Sequence, residues 1–296
     1  MSGLELKKEL INDIEHLISS AKAKAIKAVD FQRVLLYWQI GKRIFDEIQN
    51  QQDRADYGKS LIKNLANSLE PIYGSGYSYR QLYFFVQFYK AFPIVNTLYS
   101  QLSWSHYKLL IRIEDSDKRE FYQEECKKNL WSVREFERQI NSQLFERLLL
   151  SSDKKSVLEV AKKQKLPQNP QEIIKDPMVL EFLGLKMSNT LDTNLLNELK
   201  SIIQLAKTNV VTVVNTTMVQ TYWQIGKMLV EDKQQGKKRA KYGKQQLQHI
   251  SNELTKEFSK GFDVSNLRNM RRFYIAFPIR ETVSPKLSWT SGEDDE

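Results

Sequence analysis

The sequence predicts an all-α protein built from two copies of one helical module, the second copy incomplete. The first observation is a repeat. Tyr37-Trp38-Gln39-Ile40-Gly41-Lys42 returns as Tyr222-Trp223-Gln224-Ile225-Gly226-Lys227. Arg54-Ala55 with Tyr57-Gly58-Lys59 returns as Arg239-Ala240 with Tyr242-Gly243-Lys244. Ala91-Phe92-Pro93-Ile94 and Leu102-Ser103-Trp104 return as Ala276-Phe277-Pro278-Ile279 and Leu287-Ser288-Trp289. Every pair is 185 residues apart, the separation of Tyr37 and Tyr222, with no gap from about Leu10 to Trp104. Shared landmarks in one register require duplication, whereas helical patterning alone would share only apolar spacing. The second observation is that apolar residues recur at three- and four-residue spacing through both copies, which sets one stripe along a helix.

In chain order, Leu6, Leu10, Ile14, Leu17, Ile18, Ala21 and Ala25 make the first stripe, and Val34, Tyr37, Trp38, Gly41, Ile44, Phe45 and Ile48 the next. Gly41 and Gly226 fall inside such stripes. A mid-helix glycine costs about 1 kcal/mol against alanine, and close approach of a neighbouring helix is the expected compensation. Val210-Val211-Thr212-Val213-Val214 has strand propensity. Its ungapped counterpart, Ala25-Ile26-Lys27-Ala28-Val29, is alanine- and lysine-rich, so the repeat predicts helix there as well. A helix over about 57–69 precedes a turn at Pro71, Gly74 and Gly76, and a helix over 79–91 follows. Ser78 and, in copy two, Asp263 stand at its N-cap, and Pro93 and Pro278 end it. Copy one continues with helices over 104–113, 117–129 and 133–150, the last opened by Ser132 with Glu135 at the capping-box position.

The organisation expected is a first module over 1–150, a linker over 151–188 and a second, truncated module over 189–296. Lys154, Lys155, Lys162, Lys163, Lys165, Pro167 and Pro170 mark the polar connector, and Val179, Leu180, Phe182 and Leu183 a short docking patch. Nothing in copy two matches residues 105–150, since only a short acidic tail follows Trp289. Its apolar face must be covered by copy one, by a partner, or by nothing.

The 296 residues carry 45 basic and 36 acidic side chains, a formal charge of +9. That surplus favours a polyanionic partner and says nothing of fold. Cys126 is the single cysteine, so no intramolecular disulfide forms and a reducing, cytoplasmic location is the simplest expectation. No signal-type segment opens the chain, and no apolar run has membrane-spanning length.

Chemistry is poorly represented. His16, His106 and His249 have no cysteine or carboxylate partners at metal-site spacing. His106 is expected to make a structural hydrogen bond, and Cys126 to fill a partly buried position. No glycine-rich phosphate loop is present. The sequence therefore predicts no cofactor, no metal and no catalytic residue.

The landmarks resemble the N-terminal domain of YhcG-type bacterial proteins. They are Tyr-Trp-x-Ile-Gly-Lys, Tyr-Gly-Lys, a helix ending Phe-Tyr-x-x-Phe-Pro, and Leu-Ser-Trp-Ser-His. The likeness extends through Arg119-Glu120-Phe121-Tyr122, Trp131-Ser132-Val133-Arg134-Glu135, Lys175-Asp176-Pro177 and Glu181-Phe182-Leu183. It covers nearly all of 10–185, and copy two from about 190 to 289. The resemblance implies a nuclease domain of the PD-(D/E)XK class after Lys-Asp-Pro, with carboxylates on Mg²⁺ and a lysine that helps activate water. Here a second N-terminal module takes that place. Glu198-Leu199-Lys200 fits the triplet only superficially, since it aligns with Ile14 on an amphipathic helix. The expectation is a non-enzyme.

The stretch 57–91 is a helix–turn–helix candidate whose second helix could enter a major groove, and the resemblance suggests DNA recognition there. In copy two, Leu267, Met270, Phe273, Tyr274 and Phe277 are expected to face the core, leaving Ser265, Asn266, Arg268, Asn269, Arg271 and Arg272 outward. These residues can hold phosphates or read base edges, and Lys244 adds a backbone contact. In copy one only Arg80, Gln81 and Lys90 supply polar reach on the helix, with Lys59 a further candidate contact at the position of Lys244, while Tyr83, Val86 and Gln87 stand where copy two has arginines. A solvated helix face is the competing reading of that arginine cluster. Two function classes remain open. One is a DNA-binding accessory protein that serves a nuclease or restriction-type partner. The other is a non-catalytic interaction module, or a truncated or rearranged family member, that self-associates through its incomplete second copy.

Overall fold

The computed structural model describes residues 3–50, 54–151, 194–235, 240–258 and 261–278, and their regular structure is helical throughout. Copy one supplies α1 (Gly3–Gln49), α2 (Arg54–Tyr73), α3 (Tyr79–Ala91), α4 (Trp104–Leu110), α5 (Ser116–Asn129), α6 (Val133–Asn141) and α7 (Leu144–Leu150). Copy two supplies α8 (Asn194–Gln235), α9 (Ala240–Phe258) and α10 (Val264–Ala276). The linker and its Val179–Leu183 patch lie outside the described residues, as does the Leu287–Trp289 landmark. No helix among the described residues is long and apolar enough to cross a membrane.

The two apolar stripes expected at the start of each copy form one continuous helix, 47 residues long in α1 and 42 in α8. The valine-rich stretch 210–214 lies inside α8, as the repeat predicts. Residues 133–150 are two helices rather than one, because Gln143 takes a left-handed conformation (φ 53°) that interrupts the hydrogen-bond ladder. Ser132 caps α6 with the expected box, its Oγ accepting from the Glu135 amide while the Glu135 carboxylate accepts from the Ser132 amide at 2.8 Å. Ser78 stands at the N-cap of α3 but makes no capping hydrogen bond through its side chain, whereas Asp263 at the head of α10 accepts from the amides of Ser265 and Asn266 at 2.8 and 3.0 Å.

The contacts group the chain into two compact units, and these units are not the two sequence copies. One comprises Met1–Ala25 and Val211–Glu296, and the other Ile26–Val210. Ala25 and Val210 are equivalent positions in the repeat, so each unit lacks the first part of its own copy and contains that of the other. The apolar residues of α1 do not keep to one face over its whole length. That pattern suits a helix whose first 25 residues belong to one core and whose remainder belongs to another.

Within unit Ile26–Val210 the centre is aromatic. Tyr37 of α1 stacks on Phe85 of α3 at 4.1 Å between ring centres, and Trp104 of α4 meets the edges of Tyr37, Phe85 and Phe88. Within the other unit, Leu10, Ile11, Ile14 and Ile18 pack with Ile225, Leu229, Leu247, Ile250, Leu254, Phe262, Leu267 and Met270. The equivalents Leu195, Leu196, Leu199 and Ile203 are buried in unit Ile26–Val210.

Gly41 and Gly226 do what the sequence predicts. An added Cβ would stand 1.9 Å from the Phe85 carbonyl oxygen in one copy and 2.0 Å from that of Met270 in the other. Backbone therefore meets backbone, and only glycine fits. A tryptophan clamp accompanies each crossing. The Trp38 indole N–H donates to the Phe92 carbonyl at 2.7 Å, and Trp223 to that of Phe277 at 2.6 Å.

Candidate nucleic-acid interface

The turn before α10 is made locally. Gly261 adopts φ 105°, a conformation that disfavours side chains, and Phe262 is buried beside it. Asp263 then satisfies two of the orphan amides at the head of α10. Leu267 and Met270 are fully buried and fix the rotation of the helix about its axis. Tyr274 meets the edge of Trp223 at 5.1 Å, in the position that Tyr89 takes against Trp38.

That rotation sets the polar face. Ser265, Arg268 and Arg272 are exposed, whereas Asn266, Asn269 and Arg271 are half-buried. Arg268 and Arg272 are one helical turn apart, so they share a face, and no carboxylate among the described residues pairs with either. The Asn266 side-chain amide donates to the Asp263 carboxylate at 2.9 Å, in an exposed hydrogen bond. The Arg271 Nε is buried without a hydrogen-bond partner among the described residues, so this guanidinium is only partly outward. Phe273 and Tyr274 are half-buried, and Phe277, expected in the core, is 39% exposed. Its equivalent Phe92 is buried, with Tyr107 of α4 edge-on against it at 5.4 Å.

Lys244 lies on α9, and its side chain is outside the described residues. In copy one Lys59 and Arg80 are exposed. The Arg80 guanidinium lies 5.9 Å from the centre of the Phe84 ring. Gln81 is half-buried, and its side-chain carbonyl oxygen is buried without a hydrogen-bond partner among the described residues. Tyr79 and Tyr83 are exposed on the same helix. The face of α3 is thus aromatic where that of α10 is cationic.

The groups considered for chemistry are used structurally. The Nδ1 of His106 accepts from the Ser103 amide at 3.1 Å, and its Nε2 therefore carries the proton and donates to the Trp131 carbonyl at 3.0 Å. Burial lowers the His106 pKa to about 4 against the opposing effect of the Trp131 bond, so the ring is neutral at physiological pH. Burial, with a smaller contribution from Glu135, pushes the Cys126 thiol up to about 12. Glu198 is ion-paired to Arg43, and Leu199 beside it is buried. No cluster of histidine, cysteine, aspartate or glutamate able to hold a metal ion occurs among the described residues.

A repeated glycine-crossed, tryptophan-clamped helical module defines the class. The chain belongs to the DUF1016 N-terminal domain family, whose model matches residues 13–147 and again residues 198–292. The second match begins 185 residues after the first, in the register of the repeat. Among curated proteins, the chain is 33% identical over 210 residues to "Putative nuclease YhcG" of Escherichia coli (strain K12). The aligned part is 60% of this chain and 56% of that protein, so the chain spans little more than half the length of its relative. No solved structure matches the chain.

Proposed function

We propose that this protein is a DNA-binding accessory of the YhcG-type nuclease family, with α10 as its principal contact and no phosphodiester cleavage of its own. The observation that carries this reading is the Arg268–Arg272 pair. Two exposed guanidinium groups one turn apart, without carboxylate partners among the described residues, stand on α10, which follows α9 across the turn at Gly261 and which this reading takes as the second helix of a helix–turn–helix. Arg271 and Ser265 extend that face, and a chain charge of +9 supports an anionic partner. Lys244, Asn269, Lys59 and Arg80 are secondary phosphate contacts, and Tyr79 and Tyr83 give α3 a weaker, aromatic role. The reading without cleavage rests on Glu198, which the Arg43 ion pair occupies on a helix where Leu199 is buried.

The test is a titration of labelled duplex DNA with the full chain at several salt concentrations. Binding that weakens steeply with salt is expected. Absence of binding at roughly 50 mM salt would sink the reading. Incubation with supercoiled plasmid and Mg²⁺ should leave the DNA intact.

A second reading is favoured by one observation. Ile275 and Phe277 are 61% and 39% exposed at the end of α10. Under that reading the face receives another protein, such as a nuclease subunit, and Phe277→Ser would abolish its capture without changing DNA affinity.

A further inference from the structure

The grouping of residues 1–25 with copy two and of residues 194–210 with copy one makes the first segment of each repeat an arm held by the other. The two arms use equivalent positions of the repeat. Leu10, Ile11, Ile14, Ile18 and Ala21 of one, and Leu195, Leu196, Leu199, Ile203 and Ala206 of the other, are all buried. They also make the same cation–π contact. Lys22 lies 4.5 Å from the centre of the Phe258 ring, and the equivalent Lys207 lies 5.2 Å from that of Tyr73. Phe258 and Tyr73 are themselves equivalent positions at the ends of α9 and α2. Arg43 adds an ion pair to Glu198 on the second arm. Burial of four large aliphatic side chains per arm outweighs any one of these polar contacts.

We propose that the two copies are held together by this reciprocal exchange of arms, which makes the protein the covalent equivalent of an arm-exchanged dimer. Each copy presents a groove for an amphipathic helix, and the occupant is the first segment of a second copy. The chain between Leu150 and Asn194 then raises the effective concentration of one copy about the other and is not what joins them. Severed there, each fragment still holds the other by its arm.

A site-specific protease sequence inserted between Gln168 and Asn169 of the full chain allows the test. After cleavage under native conditions, light scattering is expected to report one particle of about the uncut mass, 34.8 kDa. Fragments that separate on cutting would overturn the proposal. Ile14→Asp together with Leu199→Asp should leave helicity intact and make the severed protein fall apart at concentrations at least tenfold higher than the parent. If the doubly substituted, severed protein holds as tightly as the parent, something other than the arms joins the copies and the proposal fails.

A milder pair covers the case in which those substitutions prevent folding. Glu198→Arg sets two guanidinium groups against each other and should weaken association of the severed fragments several-fold, and adding Arg43→Glu should recover most of the loss. No weakening by Glu198→Arg, or weakening with no recovery, would also count against the exchange.

Discussion

Gly226 lets α10 approach so closely that a methyl group at that position would stand 2.0 Å from the carbonyl oxygen of Met270. Met270 is the buried residue between Arg268 and Arg272, so this crossing fixes where those arginines face. Gly41 and Phe85 repeat it in copy one. Gly226→Ala should therefore destabilise its unit by about 1–3 kcal/mol through overpacking, even though alanine favours helix by about 1 kcal/mol. Urea unfolding of the variant checks it, and an unchanged or raised midpoint would mean that the two helices can part without loss.

The two caps predict different responses to the same change. Asp263→Ala removes two accepted amide bonds and should cost about 1 kcal/mol, which speeds hydrogen exchange at Ser265 and Asn266 by roughly fivefold. Ser78→Ala removes no such side-chain bond, and exchange at the start of α3 should change little. Equal responses in the two helices would contradict the assigned capping.

His106 gives unit Ile26–Val210 an acid-sensitive point. Its pKa is lowered from 6.5 to about 4, first by burial, so the unfolded chain binds a proton in a range where the folded chain does not. Its contribution is fully present above about pH 6.5 and is lost as pH falls toward about 4, by up to a few kcal/mol. An imidazole titration followed by NMR should place its midpoint near 4. A midpoint near 6.5 would show that the ring is open to water.

Much of the fold was legible because duplication supplies a second copy of every local signal. Val210–Val214 shows this best. Its propensity points to a strand, and its counterpart in copy one corrects that to helix. The crossings at Gly41 and Gly226 were legible for the same reason, since a costly residue kept in both copies has to be compensated. The exchange of arms was not legible. Leu10, Ile11, Ile14 and Ile18 carry the same pattern as Leu195, Leu196, Leu199 and Ile203, so either arm suits either groove and the register cannot say which one it enters. The break at Gln143 was also hidden, because an apolar spacing of three and four survives a single left-handed residue.

The candidate interface was partly legible. Arg268 and Arg272 are exposed as the helical period predicts, because Leu267 and Met270 hold the opposite side. Asn266 and Gln81 were assigned outward by the same period, yet one is held by Asp263 and the other has its carbonyl buried. Periodicity places a Cβ on a face, but a short polar side chain near a helix end is directed by its local hydrogen bonds. Phe277 follows a different cause. The counterpart of its copy-one neighbour Tyr107, which lies edge-on against Phe92, is Gly292, which has no ring to offer.

On the proposed function, α10 contacts DNA through Arg268 and Arg272. The most direct test compares the full chain with the Arg268→Ala, Arg272→Ala double variant in DNA titrations across a range of salt concentrations. Loss of two phosphate contacts should weaken binding at low salt and reduce the slope of log affinity against log salt by about 2. Unchanged affinity with an unchanged slope would contradict the account and leave these arginines as a solvated helix face.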